Sequence, residues 1–162
     1  MTRATPAVLI ACTALFSLAA CEPDRYTPRT VAGTWVQVEL NGKRLPARFE
    51  SQMRDQVCVS EMVRNEMRLN EDGSYVTTGE VRAGCGPASG APTLTTSPIT
   101  DMGSYRLEGE KGDTIRLETP ALMQMGASSR PVVLGIFKGN ELTVTLTDPV
   151  TGASQTAKHV RE

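Results

Sequence analysis

Aromatic side chains are scarce in this chain: three Phe, three Tyr and one Trp among 162 residues. So few rings are thin lining for a capacious ligand cavity, and none is interleaved with the densest basic patch, Lys43, Arg44, Arg48 and Arg54. That patch therefore reads as solvated surface. Charge of one sign is also lacking. Seventeen basic residues face 18 acidic ones, which leaves no field to draw nucleic acid to the protein. Histidine is nearly absent. His159, the only one, stands between Lys158 and Arg161 and reads as a surface side chain. No Gly-x-Ser-x-Gly elbow, no Cys-x-x-Cys pair and no phosphate-cradling glycine loop ahead of a helix is present. Neighbouring acids such as Glu71 with Asp72, or Glu108 with Glu110, lie beside turn glycines, where solvation explains them. The sequence thus assigns no catalytic residue, no metal and no cofactor, and the expectation is a protein that is not an enzyme.

What the chain does have begins at its start. Arg3 is the only charge before Glu22, and residues 7–20 are almost wholly apolar. That run falls short of the roughly 20 residues a spanning helix needs. A positive start, a short apolar middle and small residues at its end describe an export signal. Its last four residues, Leu18-Ala19-Ala20-Cys21, resemble the lipobox of bacterial lipoproteins. The resemblance implies cleavage before Cys21 and acylation of that cysteine, with residues 1–20 as the signal peptide. Two acyl attachments hold a protein on a membrane where one is marginal. In that family Asp at the second mature position favours retention at the inner membrane. Glu22 stands there, so the expectation is the cell envelope, at the periplasmic face of an outer membrane. The partner is then the membrane, through the lipid on Cys21. Residues 21–30 are polar with two prolines and read as a tether, ahead of one domain over 31–162.

Cys12 leaves with the signal and Cys21 takes lipid, so Cys58 and Cys85 remain as an even pair in an oxidising compartment. The expectation is one disulfide, whose loop-entropy contribution is about 3.6 kcal/mol.

From Val31 onward the pattern is of strands broken by turns. Val31 to Leu40 is one strand, closed by Asn41-Gly42, a strong hairpin signal. Leu45, Phe49 and Met53 recur every fourth residue after Pro46, which predicts a short helix over 45–56. Val57 to Leu69 alternates, with Val57, Val59, Val63, Met67 and Leu69 on one face. Strands are predicted at 74–82, 102–108, 113–118, 131–138, 141–147 and 153–161. Residues 83–101, rich in Gly, Ala, Pro, Ser and Thr, read as a long loop held by Cys85, and 119–130 as a second loop. Eight short strands with regular turns predict an all-β barrel or sandwich. Closure into a barrel removes the exposed edges.

Val31-Ala32-Gly33-Thr34-Trp35 resembles the Gly-x-Trp signature of lipocalins. Asn41-Gly42-Lys43-Arg44-Leu45-Pro46, the segment from Leu69 to Tyr75, and Gly103-Ser104-Tyr105 are similar to small bacterial lipocalin-like domains. The resemblance implies an eight-stranded antiparallel up-and-down barrel, with Gly33 and Trp35 plugging its closed end. The expected binding wall comprises Met67, Leu69, Tyr75, Tyr105 and Leu107, with Leu122, Met123 and Met125 from the second loop. A tyrosine hydroxyl would orient the ligand. The paired thioethers of Met123 and Met125 also suit Cu(I), but with no paired histidine they read as flexible apolar packing. Two functions compete: a barrel that binds a small apolar molecule or lipid, and a solid-cored module that docks on or inhibits an envelope protein through residues 83–101.

Overall fold

The computed structural model describes residues 25–118, 132–148 and 150–162. A single helical turn, α1 (Pro28–Val31), precedes ten strands: β1 (Gly33–Leu40), β2 (Lys43–Arg44), β3 (Ala47–Met53), β4 (Gln56–Leu69), β5 (Ser74–Pro87), β6 (Thr95–Glu108), β7 (Thr114–Glu118), β8 (Val132–Lys138), β9 (Glu141–Thr147) and β10 (Ser154–Arg161). Each of β4 to β10 pairs antiparallel with the next, β10 pairs with β1, and β1 pairs back onto β4. These eight strands form a closed antiparallel barrel, and the protein is all-β. Strands β2 and β3 hang outside the ring on β1 and β4.

The turns carry the residues their geometry demands. Asn41 and Gly42 both take positive φ, 50° and 77°, which a two-residue hairpin needs to match strand twist. Asp72 accepts from the Ser74 backbone N–H at 2.8 Å, fixing the turn between β4 and β5.

Two expectations are corrected. Residues 45–56 are not helical: Ala47 to Met53 pair residue by residue with Met62 to Gln56. A spacing of four places Leu45, Phe49 and Met53 on one side of a helix, but four is also a multiple of two. Phe49 and Met53 therefore share a face of β3, and Leu45 lies in the bend before it. Nor is 83–101 a loop. Strand β5 runs to Pro87 and β6 begins at Thr95, leaving a connection of residues 88–94. The glycines are there because this connection folds back over the strand. A Cβ on Gly84 would lie 2.0 Å from the Thr93 carbonyl oxygen, and one on Gly86 would lie 3.0 Å from Pro92. Val59, in register with Gly84, is buried on that face. The Thr-rich run from Thr95 suits a strand. Cys58 and Cys85 sit opposite each other in β4 and β5 and form the disulfide.

The core gathers at one end of the barrel. Tyr26, Val31, Trp35, Met67, Leu69, Tyr75, Tyr105, Ile115, Phe137 and Leu142 form one buried cluster. Each fully buried side chain of this size contributes about 1.5–3 kcal/mol. All these residues and all ten strands lie between Tyr26 and Arg161, so the chain after Arg25 carries the whole barrel.

Candidate functional site

The Trp35 end is closed by side chains and by chain. Trp35 Nε1 donates to the Val31 carbonyl at 2.9 Å, fastening α1 across the barrel. Its ring lies 5.2 Å from Phe137, and Tyr26 stacks on the same Phe137 at 5.3 Å. The Tyr26 backbone N–H donates to the Lys111 carbonyl at 2.7 Å, and the Gly139 N–H donates to the Tyr26 hydroxyl at 2.9 Å. Residues 26–30, the expected end of the tether, are therefore part of the folded body. Arg161 lies over Trp35, with the guanidinium 5.8 Å from the ring, and donates to the carbonyls of Thr30 and Ala32. Gly33 is required here: its φ is +140°, and a Cβ would sit 3.3 Å from Arg161 Nε.

Five of the expected ligand-wall residues come together, but at this closed end and as packed core. Met67 is in register with Trp35, and Leu69 with Gly33. Met67, Leu69, Tyr75 and Tyr105 are buried and Leu107 packs against them. The tyrosine hydroxyls have partners within the protein: Tyr105 donates to the Asn70 carbonyl at 2.6 Å and Tyr75 to Asp101 Oδ2 at 3.0 Å. Burial pushes the Tyr105 phenol above its usual range. Leu122, Met123 and Met125 lie outside the described residues, as does Cys21.

Further inward apolar residues continue from this core along β7, β8 and β9. Leu117 is in register with Tyr105, Val133 with Leu117, and Leu146 with Val133. All three therefore face inward, as does Val144, in register with Gly135. All four are half-buried, and Leu117 and Val144 pack against the buried cluster. Packing is tightest beside Trp35, and Val133 and Leu146 lie outside that cluster and its packed neighbours. On the outside, a cleft of about 370 Å³ lies beside α1 and Arg161, and one of about 520 Å³ lies beside Val38, Arg44 and Leu45. Neither is lined by Met67, Leu69, Tyr75, Tyr105 or Leu107.

Between the two halves the interior holds a polar row that sequence patterning missed. His159 is not a surface residue: it is 3% exposed, inward on β10 and in register with Leu142 and Gln37. Gln37 is buried beside it, and its Oε1 accepts from Asn65 Nδ2 at 2.7 Å. Burial drives the His159 pKa down to about 4, against a weaker upward pull from the backbone of Leu142 and Ala157. Its neighbours Lys158 and Arg161 suggested surface. The available signal was parity: His159 is two residues from Arg161 and Ala157, on the inward set of β10.

Among the described residues no three His, Cys, Asp or Glu side chains converge as a metal cluster would require. The ionic contacts lie on the outer wall. Arg116 donates to Glu108 at 2.7 Å and holds that carboxyl below its ordinary range, while Arg106 bridges Glu108 and Glu118. No protein family, curated protein or solved structure matches the chain.

Proposed function

We propose that this protein is a lipid-anchored lipoprotein of the bacterial envelope whose barrel takes up a small, largely apolar molecule at the end opposite Trp35. The observation that carries this reading is the contrast within one barrel. The closed half is filled, with Leu117 and Val144 packed on its core, yet Val133 and Leu146 face inward, stay half-buried and lie outside that cluster. Barrels of eight strands have interiors just wide enough for side chains or one small ligand. The anchor rests on Leu18-Ala19-Ala20-Cys21, and the packing of Tyr26 sets the orientation. Five residue steps separate Cys21 from Tyr26, a reach of no more than about 18 Å. The closed end then faces the bilayer and the opposite end faces away from it.

A second reading keeps the barrel but not the ligand. The distal parts of β3, β4 and β5, with the disulfide bridging β4 and β5, extend the sheet beyond the ring and expose Met53 at 63%. This extension would be the contact surface of a docking module.

Titration of the chain beginning at Glu22 with N-phenyl-1-naphthylamine separates the two. A ligand cup predicts saturable fluorescence enhancement, weakened at least tenfold by Leu146→Gln with the fold retained. Absence of any enhancement, with Leu146→Gln lowering stability, would favour the docking module.

A further inference from the structure

We propose that the mid-barrel row Gln37, Asn65 and His159 anchors the head group of an uncharged, hydroxyl-bearing amphiphile, a fatty alcohol or an acylglycerol. This deepens the ligand-cup reading and rests on it.

The three residues lie on adjacent strands, β10, β1 and β4. His159 is in register with Gln37, and Gln37 bonds to Asn65. Gln37 has a partner on each amide atom: its Oε1 accepts from Asn65 Nδ2 and its Nε2 donates to the Glu39 carbonyl at 3.2 Å. Two buried atoms are left without a hydrogen-bond partner, His159 Nδ1 and Asn65 Oδ1. Buried polar atoms are nearly always satisfied by protein, ordered water or ligand. Their position points to a ligand. On the closed side the next inward residues are Trp35 and Met67, in register with each other. On the other side they are Ala157 and Val144, also in register, leading to the half-buried Val133 and Leu146. In the ligand-cup reading the polar row is therefore the floor, with Val133 and Leu146 as the apolar wall above it.

The atoms also define the head group. Asn65 Oδ1 only accepts, so its partner must donate. The imidazole of His159 is neutral near pH 7, one nitrogen donating and the other accepting, so its Nδ1 can meet a hydroxyl in either tautomer. Asn65 Oδ1 lies on the Gly79 side of the row, so a hydroxyl can donate to Asn65 or bond to His159. A carboxylate has no proton for Asn65, and it would enter a barrel where Asp101 shares the inward side with Thr77. Arg161, the cation on the His159 face of β10, is held by the carbonyls of Thr30 and Ala32.

The test is an NMR titration of the isotope-labelled chain beginning at Glu22 with 1-decanol, its methyl ether and decanoate at pH 7.5. The alcohol should move the His159 ring and Asn65 side-chain resonances and bind about tenfold more tightly than the ether or the acid, as one hydrogen bond supplies. Asn65→Leu should abolish that preference while leaving ether binding intact. Equal affinities, or binding that leaves His159 and Asn65 unmoved, would overturn the head-group assignment and leave the cup standing. Failure of all three probes, with a long-lived water seen beside His159, would overturn both. Should Asn65→Leu not fold, the three-probe comparison on the unaltered chain decides.

Discussion

Lowering the pH from 7.5 to 5 should weaken this fold through His159 alone. Burial holds its imidazole at a pKa of about 4, against 6.5 for the unperturbed group. At pH 7.5 both folded and unfolded chains keep it neutral, and the stability is whole. As the pH falls through 6.5 the unfolded chain takes up a proton that the folded barrel refuses. Stability then declines until about pH 4, below which both states are charged. The full loss is about 3.4 kcal/mol, at 1.36 kcal/mol per pKa unit. At pH 5 it is about 2 kcal/mol, equivalent to roughly 6 °C in melting temperature for a domain of this size. Carboxylates act elsewhere. Asp72 is held low chiefly by the Ser74 hydroxyl, Glu108 by Arg116, and Asp148 by the Val150 backbone N–H. Their contributions are present above the ordinary carboxylate pKa, 4.5 for Glu108 and 3.8 for the two Asp, and fade as the pH falls through those values. Urea denaturation of the unaltered chain and of His159→Gln at pH 7.5, 6 and 5 isolates the histidine. The difference between the two should change by about 2 kcal/mol across the series. A difference independent of pH would refute the reasoning. So would an imidazole that titrates near 6.5 by NMR in the folded protein.

Three further outcomes follow from the same structure. Reduction of the Cys58–Cys85 disulfide should cost no more than about 3.6 kcal/mol and leave the barrel folded by circular dichroism, because the bridge joins the distal part of β4 and β5 and not the Trp35 core. Gly135→Ala should destabilise by about 1–3 kcal/mol in thermal melts, since the added Cβ would lie 2.6 Å from Ile115 Cγ2 and 2.9 Å from Leu142 Cδ1. Intact mass of protein extracted from membranes should show a mature chain starting at Cys21 with acyl groups, and Cys21→Ser should abolish them; an unmodified Cys21 would remove the anchor.

The barrel strands were legible because their alternation and turns agreed. Leu142, Val144 and Leu146 alternate with threonines, and Gly139-Asn140 closes the hairpin before them. The plug was legible through Gly33 and Trp35, although the packing of Arg161, Tyr26 and Phe137 around it was not, since those residues come from distant parts of the chain. The helix predicted over 45–56 failed because a spacing of four fits a strand face as well as a helix face. The loop predicted over 83–101 failed because its glycines mark close approach of residues 92–94, which local composition does not encode. The site was the least legible part. Met67, Leu69, Tyr75, Tyr105 and Leu107 were read correctly as inward, but which end of the barrel they occupy depends on their register against β1. The polar row was invisible because Gln37, Asn65 and His159 become neighbours only when β1 closes the barrel between β10 and β4. Each of them, taken singly, looks like an exposed strand residue.

The most direct test of the ligand cup is a crystal structure of the chain beginning at Glu22, grown with N-phenyl-1-naphthylamine. Density for the probe against Val133 and Leu146, above an intact Gln37–Asn65 hydrogen bond, is the expected result. A barrel in which Val133 and Leu146 are packed solid by protein, with the probe absent from the interior, would contradict it.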